Sequence, residues 1–388
     1  MRYSNESGAG YQNQLRLYKT KNIYRTILLI IVLLAIALII RLRYSGHVYS
    51  SYEITESIQR QKTDSARDLR LGSSIFTYSK DGAHCTDSKG NVVWNQTYEI
   101  QDIKVVTNDS IVAIAHYNGR NIYVLDEKEQ LSTITTTLPI RNIAVAANGV
   151  LTAVLSDGTT TWLNTYRSDG EPLFSGQTHM SNSGYPIAVA LSQDGEMLEV
   201  SYIYVDTGTV KTTVAFYNFG DVGDNYKDYL VSGFDYTDLL VPEVGFLSNS
   251  VSYAVGDGRL MFYKGAEQPS IQAEYLYDQE IQSVFHGNGY LGLILASDKA
   301  DSRYRMDVYN SDGKLEENIY FDMNYMDVVF EKNDLIIYNE SECRIFTYDG
   351  REKYAGEFAK TVNVLIPMNG AYKYMLVNDE CLDSIQLN

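Results

Sequence analysis

The side chains of this sequence that are most able to do chemistry are its carboxylates. Asp-Gly dipeptides recur along the 388 residues, and paired carboxylates can transfer protons or hold Ca²⁺. The dipeptides begin at Asp81, Asp157, Asp169, Asp194, Asp257, Asp312 and Asp349. Short apolar runs flank them, as in "MDVYNSDGKLEENIYFDMN" at 306–324. Because Asp and Gly tolerate the left-handed backbone of tight hairpins, we interpret these dipeptides as turns.

The sequence offers little support for a metal site. The stretch "GDVGDNYKD" at 220–228 comes closest to a calcium loop. A calcium loop needs oxygens at alternating positions and a downstream glutamate, and this spacing does not supply them. We therefore expect a surface loop there and predict neither a metal nor another cofactor.

The cysteines, Cys85, Cys343 and Cys381, are too far apart in sequence for the CxxC spacing of a zinc site. We expect buried, reduced thiols that pack as small apolar side chains. Cys85 and Cys381 would nevertheless fall in one blade of the fold predicted below, where they could lie close together.

Short strands are the elements that position the Asp-Gly turns. From about residue 71 the apolar pattern has the period of two that is typical of strands, and Asn-Gly or Asp-Gly turns separate runs of five to eight residues. Units of four such runs follow one another, and repeats of roughly 40–50 residues are typical of propeller blades. We predict an all-β β-propeller over 71–388, with seven blades of four antiparallel strands; eight is the alternative.

The predicted ring is closed by strands from both ends of the chain. Six units occupy 102–361, and the seventh blade combines the C-terminal strands with N-terminal strands from "SIFTYSKDGAHCTDSKGNVVWNQTY". A blade built from both termini ties the first and last blades together and leaves no open edge.

An apolar run at 27–40 predicts a membrane anchor. Extended to 23–43 it reaches about 30 Å as a helix, and more basic residues precede it than follow it, which places the N-terminus in the cytoplasm. We therefore expect a cytoplasmic tail over 1–22, a transmembrane helix over 23–43, a stalk over 44–70, and an extracytoplasmic propeller. A cleaved signal peptide or a buried helix are the alternatives.

One phrase carries a resemblance to known proteins. "DSKGNVVW", with Asp87, Gly90 and Trp94, resembles the D-x-x-G-x-x-x-W motif of quinoprotein-like propellers, and the body resembles the WD-repeat and quinoprotein-like superfamily. With its N-terminal anchor, the chain resembles a family of unknown function of single-pass, extracytoplasmic propellers of Gram-positive bacteria. Other units lack the tryptophan, so the resemblance implies no quinone cofactor.

Charge excludes one class of partner. The net charge is −17, and the first 43 residues carry +6, so the rest carries −23. Nucleic-acid binding requires clustered Lys and Arg, which an acidic body does not provide.

A weaker pattern suggests a binding face. Turns between the second and third strands of the predicted units hold a carboxylate or an amide, and in a propeller these turns share one face. The candidate residues are Asp81, Asn118, Asp157, Asp206, Asp257, Asp301 and Asn339. Such a ring could bind an envelope protein, a cation, a basic peptide or a glycan. A merely solvated acidic face is the alternative.

We therefore predict a membrane-anchored propeller that acts as a protein- or ligand-binding scaffold in the cell envelope and contacts membrane lipid through 23–43. No catalytic motif supports an enzyme. Two alternatives stay open: a glycan-acting hydrolase or lyase with channel-facing carboxylates, and a self-associating surface protein.

Overall fold

The described residues of the N-terminal unit include a helical segment. The computed structural model describes residues 27–36, 48–61, 65–158, 160–178 and 184–388, which fall in two compact units, Met1–Tyr49 and Ser50–Asn388. Residues 27–36 are helical.

In the described part of the chain, no helix is both long and apolar enough to span a bilayer. This finding contradicts the predicted transmembrane helix and the single-pass membrane location that depended on it. The remainder of the predicted anchor, residues 23–26 and 37–43, lies outside the described residues, as does the predicted tail.

The second unit is a β-propeller of eight four-stranded antiparallel sheets. We number the blades in chain order. Blade 1 contains β2 (Arg67–Leu71), β3 (Ser74–Tyr78), β4 (Gly82–Thr86) and β5 (Val92–Thr97). Blade 2 contains β6 (Ile103–Asn108), β7 (Ile111–His116), β8 (Asn121–Asp126) and β9 (Gln130–Thr135). Blade 3 contains β10 (Ile140–Val145), β11 (Leu151–Ser156), β12 (Thr161–Tyr166) and β13 (Pro172–Thr178). Blade 4 contains β14 (Tyr185–Leu191), β15 (Met197–Asp206), β16 (Thr209–Asn218) and β17 (Leu230–Thr237).

The other four blades follow the same order. Blade 5 contains β18 (Glu243–Ser248), β19 (Val251–Gly256), β20 (Arg259–Lys264) and β21 (Ser270–Leu276). Blade 6 contains β22 (Ser283–Gly287), β23 (Tyr290–Ala296), β24 (Tyr304–Tyr309) and β25 (Leu315–Phe321). Blade 7 contains β26 (Asp327–Phe330), β27 (Asp334–Tyr338), β28 (Glu342–Thr347) and β29 (Glu352–Glu357). Blade 8 contains β30 (Val364–Pro367), β31 (Lys373–Val377), β32 (Cys381–Leu387) and, as its fourth strand, β1 (Tyr52–Gln59).

The predicted propeller is confirmed, but the blade count of seven is wrong. The N-terminal strands assigned to a shared closing blade are β3, β4 and β5 of blade 1, and β2, which lies mostly in the predicted stalk, completes that blade. Blade 8 takes its fourth strand from 52–59, within the residues predicted as a stalk. Cys85 and Cys381 therefore lie in different blades; Cys85, Cys343 and Cys381 are all buried and unpaired, as expected.

Strand β1 closes the ring because it is the outer strand of blade 8 and contacts a turn of blade 1, as the outer strand of blade 2 contacts a turn of blade 3. It pairs antiparallel with β32, from Tyr52 opposite Leu387 to Gln59 opposite Cys381. Its Ile58 lies against the turn of blade 1, where a Cβ added to Gly90 would be 3.0 Å from the Ile58 Cγ2. Ser132 on the outer strand of blade 2 contacts Gly170 of blade 3 in the same way. The first strands of blades 1 and 8 also contact each other.

The core lies between blades. In β7 and β11 nearly every side chain is buried, whereas the outer strand β17 alternates between buried and exposed positions. These second strands are packed on both sheet faces by neighbouring blades, so successive side chains are buried on both faces. Trp94, the tryptophan of the quinoprotein-like phrase, donates from Nε1 to the Asp126 carbonyl of blade 2 at 2.8 Å.

The recurring acidic phrases form hairpin turns. In blade 6 the Asn310 Oδ1 accepts from the backbone N–H groups of Asp312 and Lys314, at 2.8 and 3.1 Å, and Gly313 has φ +68°. All the Asp-Gly dipeptides lie between consecutive strands of a blade, which confirms that they are turns. The stretch at 220–228 joins β16 to β17 through short 3-10 turns, and no group of three acidic, His or Cys side chains in the described residues is placed to hold a metal ion.

Candidate binding face

Two sets of loops share one face of the propeller. Turns between second and third strands contact the connections between blades through backbone hydrogen bonds. The Tyr117 N–H donates to the Asp102 carbonyl at 2.8 Å, and the Val362 N–H donates to the Glu340 carbonyl at 2.9 Å. We call this surface the connector face. The other turns of each blade lie at the opposite ends of the strands, on the opposite face.

All seven candidate residues lie at the second-to-third-strand turns of blades 1 to 7, and therefore on the connector face. The equivalent turn of blade 8 follows β31 and contains Asn378 and Glu380. Sequence reasoning omitted it because the blade count was wrong. The spacing of strand, turn and strand in 373–387 was the signal that would have identified it.

Several of the seven residues have partners within the protein. Asn118 accepts a hydrogen bond from Arg141, and Asp206 forms a 2.6 Å ion pair with Lys211. Asp157 accepts from the Thr160 N–H at 3.0 Å.

Asn339 also serves its own turn, because its Oδ1 accepts from the Ser341 N–H at 2.8 Å. Asp257 and Asp301 form no ion pair with any side chain in the described part of the chain. The predicted ring therefore consists partly of residues that stabilise their own turns, and its free carboxylates lie at fewer positions.

Asp81 lines a cavity of about 1090 Å³ between blades 1 and 2. The cavity opens on the connector face, because it lies beside the Lys80–Asp81 turn and the connection that contains Asp102. Tyr78 and Tyr117 contribute aromatic rings to the lining. Tyr117 is exposed, with 41% of its surface accessible.

Sequence reasoning missed the cations of this face. Arg67 and Lys104 occupy the first and second positions of β2 and β6 and line the cavity together with Lys80. Arg141, the second residue of β10, lies 5.9 Å from the Tyr117 ring centroid. We call Arg67, Lys80, Lys104 and Arg141 the cation arc. A basic residue at the start of three successive first strands was the available signal.

Three members of the cation arc have no acidic partner. Arg67, Lys80 and Lys104 form no ion pair with any side chain of the described residues, although the protein is acidic overall. Lys104 is half-buried, and this burial lowers its pKa. An incompletely hydrated cation without a counter-charge is unfavourable, so an anionic group bound from outside would stabilise it.

Acidic residues occupy the equivalent positions on later blades. Glu243 and Asp327 are the first residues of β18 and β26. Burial raises the pKa of Glu243 to about 7, and Asp327 accepts from the Tyr338 hydroxyl at 3.2 Å. The inner part of the connector face is therefore polarised, with cations on blades 1 to 3 and acids on blades 5 and 7.

The central hairpin of blade 4 projects from the connector face. Strands β15 and β16 are ten residues long and pair with each other throughout. The neighbouring strand β14 pairs with β15 only as far as Ile203 of β15, and β17 pairs with β16 only from Lys211 of β16 onwards. Three residues of β15 and two of β16 therefore extend beyond the neighbouring strands, by roughly 7–10 Å. Val205 and Val210 near the tip are 68% and 38% exposed.

Comparison with known proteins identifies the fold and a family. A family model described as a family of unknown function, DUF5711, matches residues 45–387. Sqt1 from Chaetomium thermophilum is similar in structure, with a TM-score of 0.53 and 14% identity over 87% of this chain and 100% of its own. BamB from Moraxella catarrhalis has a TM-score of 0.52 and 11% identity over 87% and 100% of the two chains. No curated protein matches the sequence significantly. At these identities the similarity to Sqt1 and BamB concerns the fold alone.

Proposed function

The chain belongs to DUF5711, a family of unknown function, and we propose from its connector face that it is a protein-binding module. The observation that carries this proposal is the combination of features on that face. The surface where all eight blades present loops has an open cavity, an apolar hairpin tip and cations that form no ion pair within the described part of the chain. Protein interfaces are typically built from aromatic rings, arginine and apolar side chains with a polar rim.

The projecting hairpin of blade 4 supplies the apolar part of the proposed interface. Exposed valines contribute free energy when a partner removes them from water, at about 25 cal/mol per Å². Strand pairing with neighbours on both sides holds the base of the hairpin in place. A partner would therefore bind to a largely pre-formed surface.

Carboxylates on the same face would form part of the rim. Asp257 and Asp301 lie in turns of blades 5 and 6 and have no internal ion pair among the described residues. We propose that they contact basic or hydroxyl-bearing groups of the partner. Exposed charge pairs of this kind contribute more to orientation and association rate than to affinity.

Two valine pairs test the proposal. Cross-linking of the full chain in cells, followed by mass spectrometry, would identify the partner and the amount recovered. Val205→Ser with Val210→Ser should reduce recovery about tenfold, because two partly buried side chains together contribute on the order of 1.4 kcal/mol. Val92→Ser with Val93→Ser is the matched control, since these valines of outer strand β5 are 63% and 43% exposed.

The control pair should recover the partner as the unaltered chain does. Equal recovery from both pairs, or loss confined to the β5 pair, would refute a role for the connector face. Recovery of copies of this chain alone would instead support self-association through outer strands.

A further inference from the structure

Three residues of the cation arc line one cavity and form no ion pair with any side chain that the structure describes. Lys104 among them is half-buried. Arg141 extends the arc beyond the cavity, past the exposed ring of Tyr117. In a chain of net charge −17, the cavity lining holds more cations than acids, because Arg67, Lys80 and Lys104 outnumber Asp81 and Asp102.

We infer that the cation arc binds a carboxylate-bearing segment of a partner protein, seated in the cavity between blades 1 and 2. This inference rests on the proposed function, because it identifies the chemistry of the segment that the connector face would bind. Arg and Lys side chains make their stronger hydrogen bonds with ionised acceptors such as carboxylates.

Size and shape favour a peptide over a small anion. A cavity of about 1090 Å³ slightly exceeds the range for small-molecule sites, roughly 300–1,000 Å³. The arc also runs across three blades, from Arg67 to Arg141. An extended peptide, at about 3.3 Å per residue, can follow such a row, whereas a single small anion can neutralise only part of it.

Lining charge favours carboxylates over phosphates. Asp81 and Asp102 stand among the cations of the cavity. They would repel a densely charged phosphate group, yet they can accept hydrogen bonds from the backbone N–H groups of a peptide. Tyr78 and Tyr117 add apolar surface on which peptide side chains can pack.

A labelled hexaglutamate peptide is a suitable probe, with fluorescence anisotropy measured on the full chain at low ionic strength. Arg67→Gln and Lys104→Gln should each weaken binding about tenfold, because a hydrogen bond to a charged group contributes about 1.5 kcal/mol or more. Lys104→Arg should retain most of the affinity. Lys89→Gln and Lys128→Gln are matched controls, since they remove the same charge from blades 1 and 2 on the opposite face; they should leave affinity unchanged.

Three results would overturn the inference. Hexaglutamate could fail to bind, or its binding could survive Arg67→Gln and Lys104→Gln together. Alternatively, tripolyphosphate could bind more tightly than hexaglutamate with the same dependence on these residues, which would identify a phosphate site. A negative peptide result accompanied by partner loss from the Val205 and Val210 pair would refute the carboxylate ligand alone and leave the protein-binding proposal intact.

Discussion

Breaking the ion pair between Arg60 and Asp68 tests how the ring is closed. Arg60 follows β1, the outer strand of blade 8, and its Nη2 lies 2.9 Å from the Asp68 Oδ1 in β2 of blade 1. The Asp68 side chain is fully buried and that of Arg60 is 13% exposed. Asp68 also accepts hydrogen bonds from Thr77 at 2.7 Å and from Asn363 at 3.1 Å. The pair thus connects the N-terminal strand to both blades that meet at the closure.

The expected cost follows from burial. Asp68→Ala should lower the free energy of unfolding by about 3–5 kcal/mol, because it leaves a largely buried guanidinium without its counter-charge. Arg60→Ala should cost about 2–3 kcal/mol, because the Asp68 carboxylate keeps its hydrogen bonds to Thr77 and Asn363. The double variant should cost less than the sum by about 1–2 kcal/mol, since the two residues contact each other.

Urea unfolding of the unaltered chain, the two single variants and the double variant gives the coupling free energy between Arg60 and Asp68. Amide hydrogen exchange shows where stability is lost. In the Asp68→Ala variant, protection of the β1 amides should fall while blades 3 to 5 keep theirs. The exposed pair Lys264–Asp312 joins blades 5 and 6 at 3.2 Å and is the control; Lys264→Ala should cost less than about 1 kcal/mol. Additive single effects with unchanged protection of β1 would refute the proposed closure.

Two further predictions concern a partly buried acid and a turn. The pKa of Glu243 is about 7 in the folded chain and ~4.3 in an unfolded chain. The stability that its neutral form contributes is therefore present below about pH 4 and is lost as the pH rises through about 7. Glu243→Gln should therefore raise the melting temperature at pH 8 relative to the unaltered chain, with a smaller difference at pH 5; parallel curves would contradict this. Gly313→Ala should cost about 1–2 kcal/mol in urea unfolding, because alanine disfavours φ +68° and its Cβ would be 3.0 Å from the buried Phe262 ring. Asp312→Asn in the same turn should be nearly neutral, and equal effects of the two changes would refute the role of backbone strain.

The strands and turns were predictable because their signals are local. In the turn at Asp169-Gly170 the Asp169 side chain accepts a backbone hydrogen bond, and in the turn at Asp312-Gly313 the Asn310 side chain does so. Both glycines have positive φ, and both turns lie within a few residues of the strands they join. The period of two in the flanking runs then identifies strands, and the repeat of four strands identifies blades. The same local signals placed the seven candidate residues in equivalent turns.

The blade count failed because ring closure is not local. The Ser51 hydroxyl donates a hydrogen bond to the Asn388 side chain, 337 residues away. No feature of "YEITESIQ", the sequence of β1, indicates that β32 is its partner. Its polar composition matched a stalk, because an outer strand buries only part of its surface; Ile58 alone marks the contact with blade 1.

The sequence by itself determined the β-propeller, the turns and the acidic character of the body, since these depend on residue type, period and net charge. Only the tertiary structure decided that blade 8 takes its fourth strand from residues 52–59. It also decided that Asn118 and Asp206 are already partnered while Arg67, Lys80 and Lys104 have no ion pair among the described residues. Pairing and burial depend on which distant side chains become neighbours when eight blades close into a ring, and a linear pattern does not record that geometry.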